Sequence, residues 1–353
     1  MNVDGNPRSW VREYYGKVLQ KSADLATNAC CATGAPPRYL QALLAKIDPR
    51  VLDRFYGCGF PIPEALEGQV TLDLGCGTGR DVYLLSQLVG PKGHVIGLDM
   101  TEAQLAVARE TLDGHMESFG YAKPNVDLRQ GYIEDLAGAG LDDESVDLVI
   151  SNCVVNLSPR KDQVLAEIVR VLRPGGEFYF SDVVVDRRLP EAIAFDPVLH
   201  SECLGGAMYD ADFISLARRS GFEDPREVSR APIDIHSPEI EAKVAPARFF
   251  SVTYRLLKLE GLDDRCEDYG QIATYRGGLP GAEQLFRLDD HHLFEAGCPE
   301  RVCGNTAAML EQTRFARFFE VQGHRRVHFG GFASAATGAH ERHASTVADG
   351  ACC

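Results

Sequence analysis

The 353-residue chain is 45% hydrophobic and 25% charged, a composition typical of soluble proteins with a sizeable core, and its length predicts about two domains. Its 36 Lys and Arg against 51 Asp and Glu give a formal net charge of −15, which argues against nucleic acid or an anionic membrane as the main partner. The polar first ten residues lack a secretory signal, and no apolar run is long enough to span a membrane. We therefore expect a cytoplasmic protein whose eleven cysteines are reduced.

The predicted elements begin with a segment of helices and loops over residues 1–68. From residue 69, short apolar strands alternate with helices. Ser158 followed by Pro159 predicts the start of the helix after the fourth strand, and Thr101 with Gln104 predicts a capping box before the second helix. The alternation predicts an α/β fold with a doubly wound, mostly parallel sheet. The predicted strands span 69–74, 94–99, 126–130, 146–152 and 177–184, and the helices between them span 81–89, 102–119 and 158–172.

Beyond residue 189 the alternation loosens, although a helix over 212–220 and a late strand over 248–258 are still predicted. After residue 261 the composition shifts to Asp, Gly and His, which predicts a small C-terminal domain over 262–335 with a helix over 306–319. The remaining residues, 336–353, are rich in Ala, Ser and Thr, and we expect them to form a disordered tail.

The strongest local motif is DLGCGTG, in which Gly75, Gly77 and Gly79 follow a predicted strand and precede a helix. Such glycines permit a sharp turn and let a ligand approach the backbone closely. Asp99 ends the next strand, where a carboxylate can bind ribose hydroxyls. Position 80 holds Arg where a dinucleotide-binding motif has its last glycine, so the pattern resembles class I S-adenosylmethionine (SAM) methyltransferases instead. The segments GYIEDL and VLRPGG are also similar to that superfamily.

This resemblance implies a set of residues that contact SAM. The three glycines form the turn, Arg80 lies near the SAM carboxylate, and Asp99 binds the ribose. Met100 packs beside the ribose, and Ile133 and Glu134 of the GYIEDL segment contact the adenine. Asn152, at the end of the fourth strand, completes the set.

Several cysteines lie at positions that suit chemistry. Cys153 ends the fourth strand, Cys203 precedes a glycine pair, and Cys58 lies in a loop bounded by Gly and Pro. Each of them alone could be a small core residue, but several thiols around a methyl donor suggest a soft, thiophilic substrate. Cys298 and Cys303, spaced C-x4-C, could form half of a metal site or be structural.

Nine segments in order closely resemble arsenite methyltransferases, among them FYGCG, VISNCVVNL and ECLGGA. The resemblance implies that Cys153 and Cys203 hold arsenic beside SAM, that Cys58 is a third, mobile thiolate, and that Cys30 is its redox partner. Cys31 adjoins Cys30 and could take its place. The implied organisation is an N-terminal segment over 1–68 that carries Cys30 and Cys58, a SAM-binding core over 69–189, and an arsenic-binding segment over 190–261.

The expected activity is methyl transfer from SAM to arsenite and methylarsenite, which would detoxify arsenic. We expect an external thiol reductant such as glutathione or thioredoxin, hence a reductase or thioredoxin partner, and a monomeric enzyme. Two alternatives stay open: a methyltransferase of another small molecule, and a thiol-based arsenite-binding protein without turnover.

Overall fold

The computed structural model describes residues 7–19 and 36–332. Its central sheet has the strand order β3-β2-β1-β4-β5-β8-β7, and the short β6 pairs with β5. The strands β1 to β5 are parallel to one another, whereas β8 runs antiparallel to both β5 and β7. The predicted α/β fold with a mostly parallel sheet is therefore confirmed. The strands are β1 (Val70–Leu74), β2 (His94–Asp99), β3 (Val126–Gln130), β4 (Val146–Asn152), β5 (Leu172–Val185), β6 (Met208–Tyr209), β7 (Arg226–Ile233) and β8 (Phe249–Leu257).

Helices cover both faces of this sheet. One buried cluster joins the sheet to α6 and α9, and a second joins it to α2, α4 and α5. No helix among the described residues is long and apolar enough to cross a membrane. The helices are α1 (Pro7–Glu13), α2 (Arg38–Leu44), α3 (Pro49–Leu52), α4 (Arg80–Val89), α5 (Glu102–Phe119), α6 (Lys161–Val171), α7 (Glu191–Ala194), α8 (Pro197–Ser201), α9 (Asp210–Ser220) and α10 (Pro238–Val244), with a π-helical turn at Tyr14–Val18 and a 3-10 turn at Val155–Leu157.

The predicted start of α5 after Thr101 is confirmed, although the predicted capping box is not formed, whereas the predicted start of α6 after Ser158 is wrong by two residues. α6 begins at Lys161 with Arg160 as its N-cap, while the Ser158 hydroxyl donates to the Glu134 carboxylate over 2.6 Å. Thr101 is the N-cap of α5, but its side chain makes no capping bond, and the Gln104 amide donates to the carbonyl oxygen of Tyr15. These side chains connect elements that lie far apart in the sequence.

The described part of the chain after β8, up to residue 332, contains three small antiparallel sheets and one α-helix, α11 (Gly304–Glu311). The helix predicted over 306–319 is wrong in length, because the chain leaves helical geometry after Glu311 and enters a strand at Phe319. The Thr313 hydroxyl donates to the Met309 carbonyl oxygen and accepts from the Phe315 N–H, which closes this turn. The strands are β9 (Glu267–Asp268), β10 (Gln271–Tyr275), β11 (Leu285–Arg287), β12 (Leu293–Glu295), β13 (Pro299–Val302), β14 (Phe319–Gln322) and β15 (Gly330–Gly331), and a 3-10 turn spans Ala316–Phe318.

A buried ionic network joins this region to the central sheet. The Glu177 carboxylate on β5 accepts from Arg255 on β8 over 2.6 Å and pairs with Arg314 from the C-terminal region. Arg255 also donates to Glu64, and to the Leu288 carbonyl oxygen over 2.9 Å. Burial alone would raise the pKa of Glu177, but the two arginines outweigh it and the pKa is lowered. The carboxylate is therefore charged and fully compensated.

Glu177→Ala should lower the free energy of unfolding by about 3–5 kcal/mol, because it leaves buried arginines without their shared acid. Chemical denaturation followed by far-UV circular dichroism measures this loss. The matched control is Glu320→Ala, which removes an exposed carboxylate 4.0 Å from Arg276 and should cost at most about 1 kcal/mol. Equal losses in the two variants would contradict the assigned role of the network.

Candidate active site

The glycine-rich loop after β1 opens a cavity at the carboxyl edge of the sheet. Gly75, Gly77 and Gly79 all have positive φ angles, 71°, 54° and 94°, which glycine adopts without strain. A Cβ at Gly75 would lie 2.4 Å from the Val154 side chain, whereas one at Gly77 meets no described atom within 4 Å. Gly75 therefore permits close packing against the loop after β4, and Gly77 leaves room for a ligand beside the backbone.

Asp99 holds this loop from the end of the neighbouring strand. One of its carboxylate oxygens accepts from the Gly77 N–H over 2.9 Å, and the other accepts from the Thr101 N–H over 2.7 Å. Burial raises the pKa of Asp99. Since each oxygen can accept a second hydrogen bond, the carboxylate can still bind a pair of hydroxyl groups.

The structure places almost all of the predicted SAM residues around one cavity. Gly79 is the exception, since it is the N-cap of α4 and lies against the Tyr83 ring. The N-terminal helix contributes Arg8 and Val11 to the wall, a contact that the sequence patterns did not indicate. The predicted residues that line the cavity are Gly75, Gly77, Arg80, Asp99, Met100, Ile133, Glu134 and Asn152.

Three of these side chains already have partners in the protein. Arg80 is paired with Asp81 at 2.7 Å and lies 3.1 Å from the ring centre of Phe55, so its predicted contact with a ligand carboxylate stays a prediction. Glu134 accepts from Ser158 over 2.6 Å and from Arg8 over 3.3 Å. The third, the amide of Asn152, is bound to the loop that carries Cys58.

The Asn152 amide makes three hydrogen bonds that connect the cavity to this loop. Its oxygen accepts from the Gly59 N–H over 3.2 Å, and its nitrogen donates to the Gly59 carbonyl oxygen over 3.0 Å. The same nitrogen donates to Asp81 over 3.1 Å. Asn152 therefore fixes the residue after Cys58 against the end of β4, in addition to lining the cavity.

Asp73, which the sequence analysis did not select, is a carboxylate suited to a cationic ligand. It lies on β1, is buried and lines the cavity, and no hydrogen bond reaches its side chain from residues 7–19 or 36–332. Burial first, and then the nearby carboxylate of Asp81, raise the pKa of Asp73 well above its ordinary value. A bound cation would relieve both effects, so the cavity fits a ligand with the positive charges of SAM.

Three cysteine side chains meet beside this cavity. Cys58 and Cys153 are joined by a disulfide, and the Cys203 thiol donates to the carbonyl oxygen of Cys153 over 3.1 Å. Their relative exposures are 1%, 2% and 0%, and Cys153 also lines the cavity. The three predicted arsenic-binding cysteines are thus brought together, while Cys30 and its neighbour Cys31 lie outside the described residues.

The disulfide differs from the pairing that the family resemblance implied, in which Cys58 acts with Cys30. Cys58 is bound here to Cys153, the thiol at the end of β4. The predicted pairing of Cys58 with Cys30 stays a prediction, since Cys30 is not described. Cys203 lies outside this disulfide and is bound to the carbonyl oxygen of Cys153.

Cys153 and Cys203 both adopt left-handed backbone geometry, with φ of 58° and 65°, which costs an ordinary L-residue of order 1–3 kcal/mol. The Cys153 N–H donates to the Ser181 carbonyl oxygen over 2.8 Å, and the Cys203 N–H donates to the His200 carbonyl oxygen over 3.1 Å. The surrounding structure therefore holds two strained residues with their sulfurs directed to one point, as functional sites do.

Asp182 is a further member of the cluster that the sequence analysis missed. Ligand atoms of Cys153, Asp182 and Cys203 all lie within 4.8 Å of one another. The Asp182 carboxylate accepts from the Asn156 amide over 2.7 Å and from the Asn156 N–H over 3.1 Å, and burial raises its pKa to about 6. Its position near the carboxyl end of β5, beside β4, was the signal that could have identified it.

The other cysteines are arranged differently. Cys76 is buried within the glycine-rich loop, and it is one of the residues around the cavity. The C-x4-C pair does not form half of a metal site, because β13 lies between its members, with Cys298 exposed and Cys303 buried. The side chain in contact with Cys303 is Cys266 instead.

Comparisons with known proteins match both parts of the chain. A methyltransferase domain family model matches residues 66–230, and a model of the arsenite methyltransferase C-terminal domain matches residues 269–346. An arsenite methyltransferase from Aquipseudomonas alcaligenes is 53% identical over 344 residues, which are 97% of this chain and 99% of that protein. The chain belongs to the arsenite methyltransferase family.

Other members of the arsenite methyltransferase family agree with this assignment. The human arsenite methyltransferase is 47% identical over 315 residues, covering 88% of this chain and 83% of the human protein. The crystal structure of an arsenic(III) SAM methyltransferase from Chlamydomonas reinhardtii superposes with a TM-score of 0.82 at 52% identity, covering 84% of this chain and all of that one. The fold and the family are thus supported by sequence and by structure.

Gly206→Ala should distort the Cys203 loop, because the new Cβ would lie 2.0 Å from the Asn156 carbonyl oxygen. We expect the free energy of unfolding to fall by about 1–3 kcal/mol, the usual cost of overpacking. The matched control is Gly114→Ala, on the exposed face of α5 with no described atom within 4 Å, which should instead stabilise by about 0.5–1 kcal/mol. Chemical denaturation measures both changes, and stabilisation by Gly206→Ala would contradict this packing argument.

Proposed function

We propose that this enzyme transfers methyl groups from SAM to trivalent arsenic held by Cys58, Cys153 and Cys203. Membership of the arsenite methyltransferase family and the SAM methyltransferase fold give the reaction, and the described thiol cluster supports the arsenic ligands. The single observation that carries the assignment of ligands is that three buried cysteines converge on one point, and that one of them, Cys153, also lines the cavity.

Arsenite suits this cluster because trivalent arsenic is thiophilic and has three exchangeable hydroxyl groups. Three As–O bonds break, three As–S bonds form, and the hydroxyl groups leave as water with the three thiol protons. This exchange needs free thiols on Cys58 and Cys153, whereas the described state joins them in a disulfide. Two electrons from an external thiol reductant of the glutathione or thioredoxin class would open it before arsenic binds.

The cavity would hold SAM through residues at or after the ends of β1, β2 and β3. Asp99 would accept the ribose hydroxyls, Gly77 would leave space beside its backbone, and Asp73 would supply negative charge to the amino-acid end. Bound SAM supplies a methyl group attached to a positively charged sulfur. Ile133 and Glu134 at the opposite wall would contact the base, and the buried surroundings of Cys153 exclude water from the reacting groups.

The cysteine cluster would leave the lone pair of arsenic available as the nucleophile. Arsenic bound by three sulfurs is pyramidal, so its lone pair points away from the three ligands, and the fixed backbone at Cys153 and Cys203 sets that direction. Alignment of reacting atoms is then the main contribution of the protein.

Methylation formally oxidises arsenic, so arsenic must be reduced again to its trivalent state. Two thiols that close to a disulfide return two electrons to arsenic. Cys30 with Cys58 is the proposed pair.

The test incubates the full-length reduced protein with methyl-labelled SAM, arsenite and a thiol reductant, and identifies the arsenic species by chromatography with mass spectrometric detection. Labelled methylarsenicals are expected only when all three are present. Arsenite binding without labelled product would leave a thiol-based binding protein, and labelled product without arsenite would indicate a methyltransferase of another small molecule.

Cys153→Ser and Cys203→Ser should each lower arsenic methylation by at least about a thousandfold, because a hydroxyl is a poor ligand for a soft centre. SAM affinity, measured by isothermal titration calorimetry, should be retained, which separates loss of arsenic binding from misfolding. The matched control is Cys298→Ser, which changes an exposed cysteine outside the cluster and should leave the rate unchanged. Full arsenite methylation by either cluster variant would reject the proposed ligands.

Asp73→Asn should weaken SAM binding by about tenfold or more, the effect of losing a charge-assisted hydrogen bond of about 1.5–3 kcal/mol. In the unaltered enzyme the affinity should rise as the pH increases through the raised pKa of Asp73, since only the charged carboxylate attracts a cation. Calorimetric titration across pH measures both effects. Asp142→Asn, at an exposed position, is the control, and an unchanged affinity in Asp73→Asn would remove this carboxylate from the cofactor site.

A further inference from the structure

A second pair of thiols lies in the C-terminal region, away from the cluster described above. Cys303 is the N-cap of α11, and its sulfur accepts from the Thr306 N–H over 3.5 Å. It lies 3.3 Å from the Thr306 hydroxyl and 4.0 Å from the guanidinium of Arg226. Residues at N-caps are usually Ser, Thr, Asp or Asn, so a cysteine sulfur performing this task among polar groups is not an ordinary core residue.

The partner of Cys303 comes from a distant part of the sequence. Cys266 directly precedes β9, is partly exposed, and lies next to the Cys303 sulfur with no disulfide between them. Its carbonyl oxygen accepts from the Phe332 N–H over 3.0 Å, which fixes the backbone at that point. The pair thus combines one buried sulfur, with 1% exposure at Cys303, and one that solvent reaches.

The charges around the pair favour one thiolate. The hydrogen bond from Cys266, then Arg226 and Thr306, outweigh burial and lower the pKa of Cys303 to about 5. The same bond and burial raise the pKa of Cys266, which keeps its proton. Arg226 is itself balanced by Asp224 at 2.6 Å and Asp289 at 2.9 Å, and His292 contacts Asp289 over 2.8 Å.

This pair lies beside β7, which is three strands away from β4 in the central sheet. Arg226 begins β7, which runs parallel to β5 because both are antiparallel to β8. The beginning of β7 therefore lies towards the amino edge of the parallel strands, whereas Cys153 lies at their carboxyl edge. The two groups of thiols cannot act on one arsenic atom.

We propose that Cys266 and Cys303 form a second binding site, one that takes monomethylated trivalent arsenic. The choice of arsenic as the ligand rests on the function proposed above, whereas the site itself rests on the contact between the two thiols. Methylarsenite has two exchangeable hydroxyl groups and one methyl group, so two sulfurs satisfy it fully. Arsenite would keep one hydroxyl, and the third described cysteine of this region, Cys298, lies beyond the far end of β13.

The binding step is an exchange without oxidation or reduction. Two As–O bonds break and two As–S bonds form, and both oxygens leave as water. One departing hydroxide takes the proton of the Cys266 thiol, and the other takes a proton from solvent, because Cys303 enters as a thiolate. Cys266, which solvent reaches, would bind arsenic first, and Cys303 would close the ring.

The first experiment uses the full-length reduced protein and methylarsenite as the probe, and measures alkylation of each cysteine by peptide mass spectrometry. Alkylation of Cys266 and Cys303 should slow by about tenfold when the probe is at about ten times its Kd. Cys298 should react equally with and without the probe. Unchanged alkylation of Cys266 would overturn the proposal.

A second experiment counts methylarsenic groups bound to the unaltered protein, to Cys266→Ser and to the matched control Cys298→Ser by native mass spectrometry. Cys266→Ser should bind one methylarsenic group fewer than the unaltered protein, and Cys298→Ser should bind the same number. An unchanged count in Cys266→Ser would reject this pair as the site.

The alkylation experiment also distinguishes failure of the proposed catalytic ligands from failure of the proposed second site. Protection at Cys266 without protection at Cys153 would reject the ligands proposed for catalysis and leave the second site standing. Protection at Cys153 without protection at Cys266 would reject the second site and leave the ligands proposed for catalysis standing. Thermal unfolding of each variant checks that a serine has not simply destabilised the fold.

Discussion

The side-chain amide of Asn152 is the contact on which the arrangement of the active site depends. It ends β4, binds both backbone groups of Gly59 and reaches Asp81 at the start of α4. A Cβ at Gly57 would lie 2.4 Å from the same amide, so the loop around Cys58 has little freedom beside it. One amide therefore sets how the cofactor cavity, the end of β4 and the cysteine loop lie relative to one another.

The parallel sheet makes this convergence possible. β1, β2, β4 and β5 point their carboxyl ends to one edge, which is where open α/β sheets bind ligands. The glycine-rich loop, Asp99, Cys153 and Asp182 come from these four strand ends or from residues near them. Cys203 and Cys58 are then added from loops outside the strands, so the chemistry is assembled from segments that are distant in sequence.

The sequence was sufficient for the sheet and the glycine-rich loop, because apolar periodicity and local spacing determine the strands and their ends. The grouping of three cysteines was implied by the resemblance to arsenite methyltransferases. It was insufficient where a side chain has a partner from far along the chain. Ser158 was expected to cap a helix, but its hydroxyl donates to Glu134. The spacing of Cys298 and Cys303 left half of a metal site or a structural role open, and it did not indicate that the neighbour of Cys303 is Cys266. Asp73 is the first residue of the DLGCGTG motif, of which only the glycines were interpreted. Asp182 was missed because a single acid on a buried strand has no pattern of its own. Only the fold shows that these carboxylates face a cavity and a thiol cluster.

The ionic network around Glu177 has a consequence for how the enzyme is built. β5 carries Glu177 near its beginning and Asp182 five residues later, so one continuous strand connects the network to the thiol cluster. Arg314, which pairs with Glu177, belongs to the C-terminal region. A shortened protein that ended after β8 would therefore expose the base of the strand that supports the thiol cluster and would remove one of the two counter-charges of Glu177. The C-terminal region is in this sense a structural part of the unit that carries the thiol cluster.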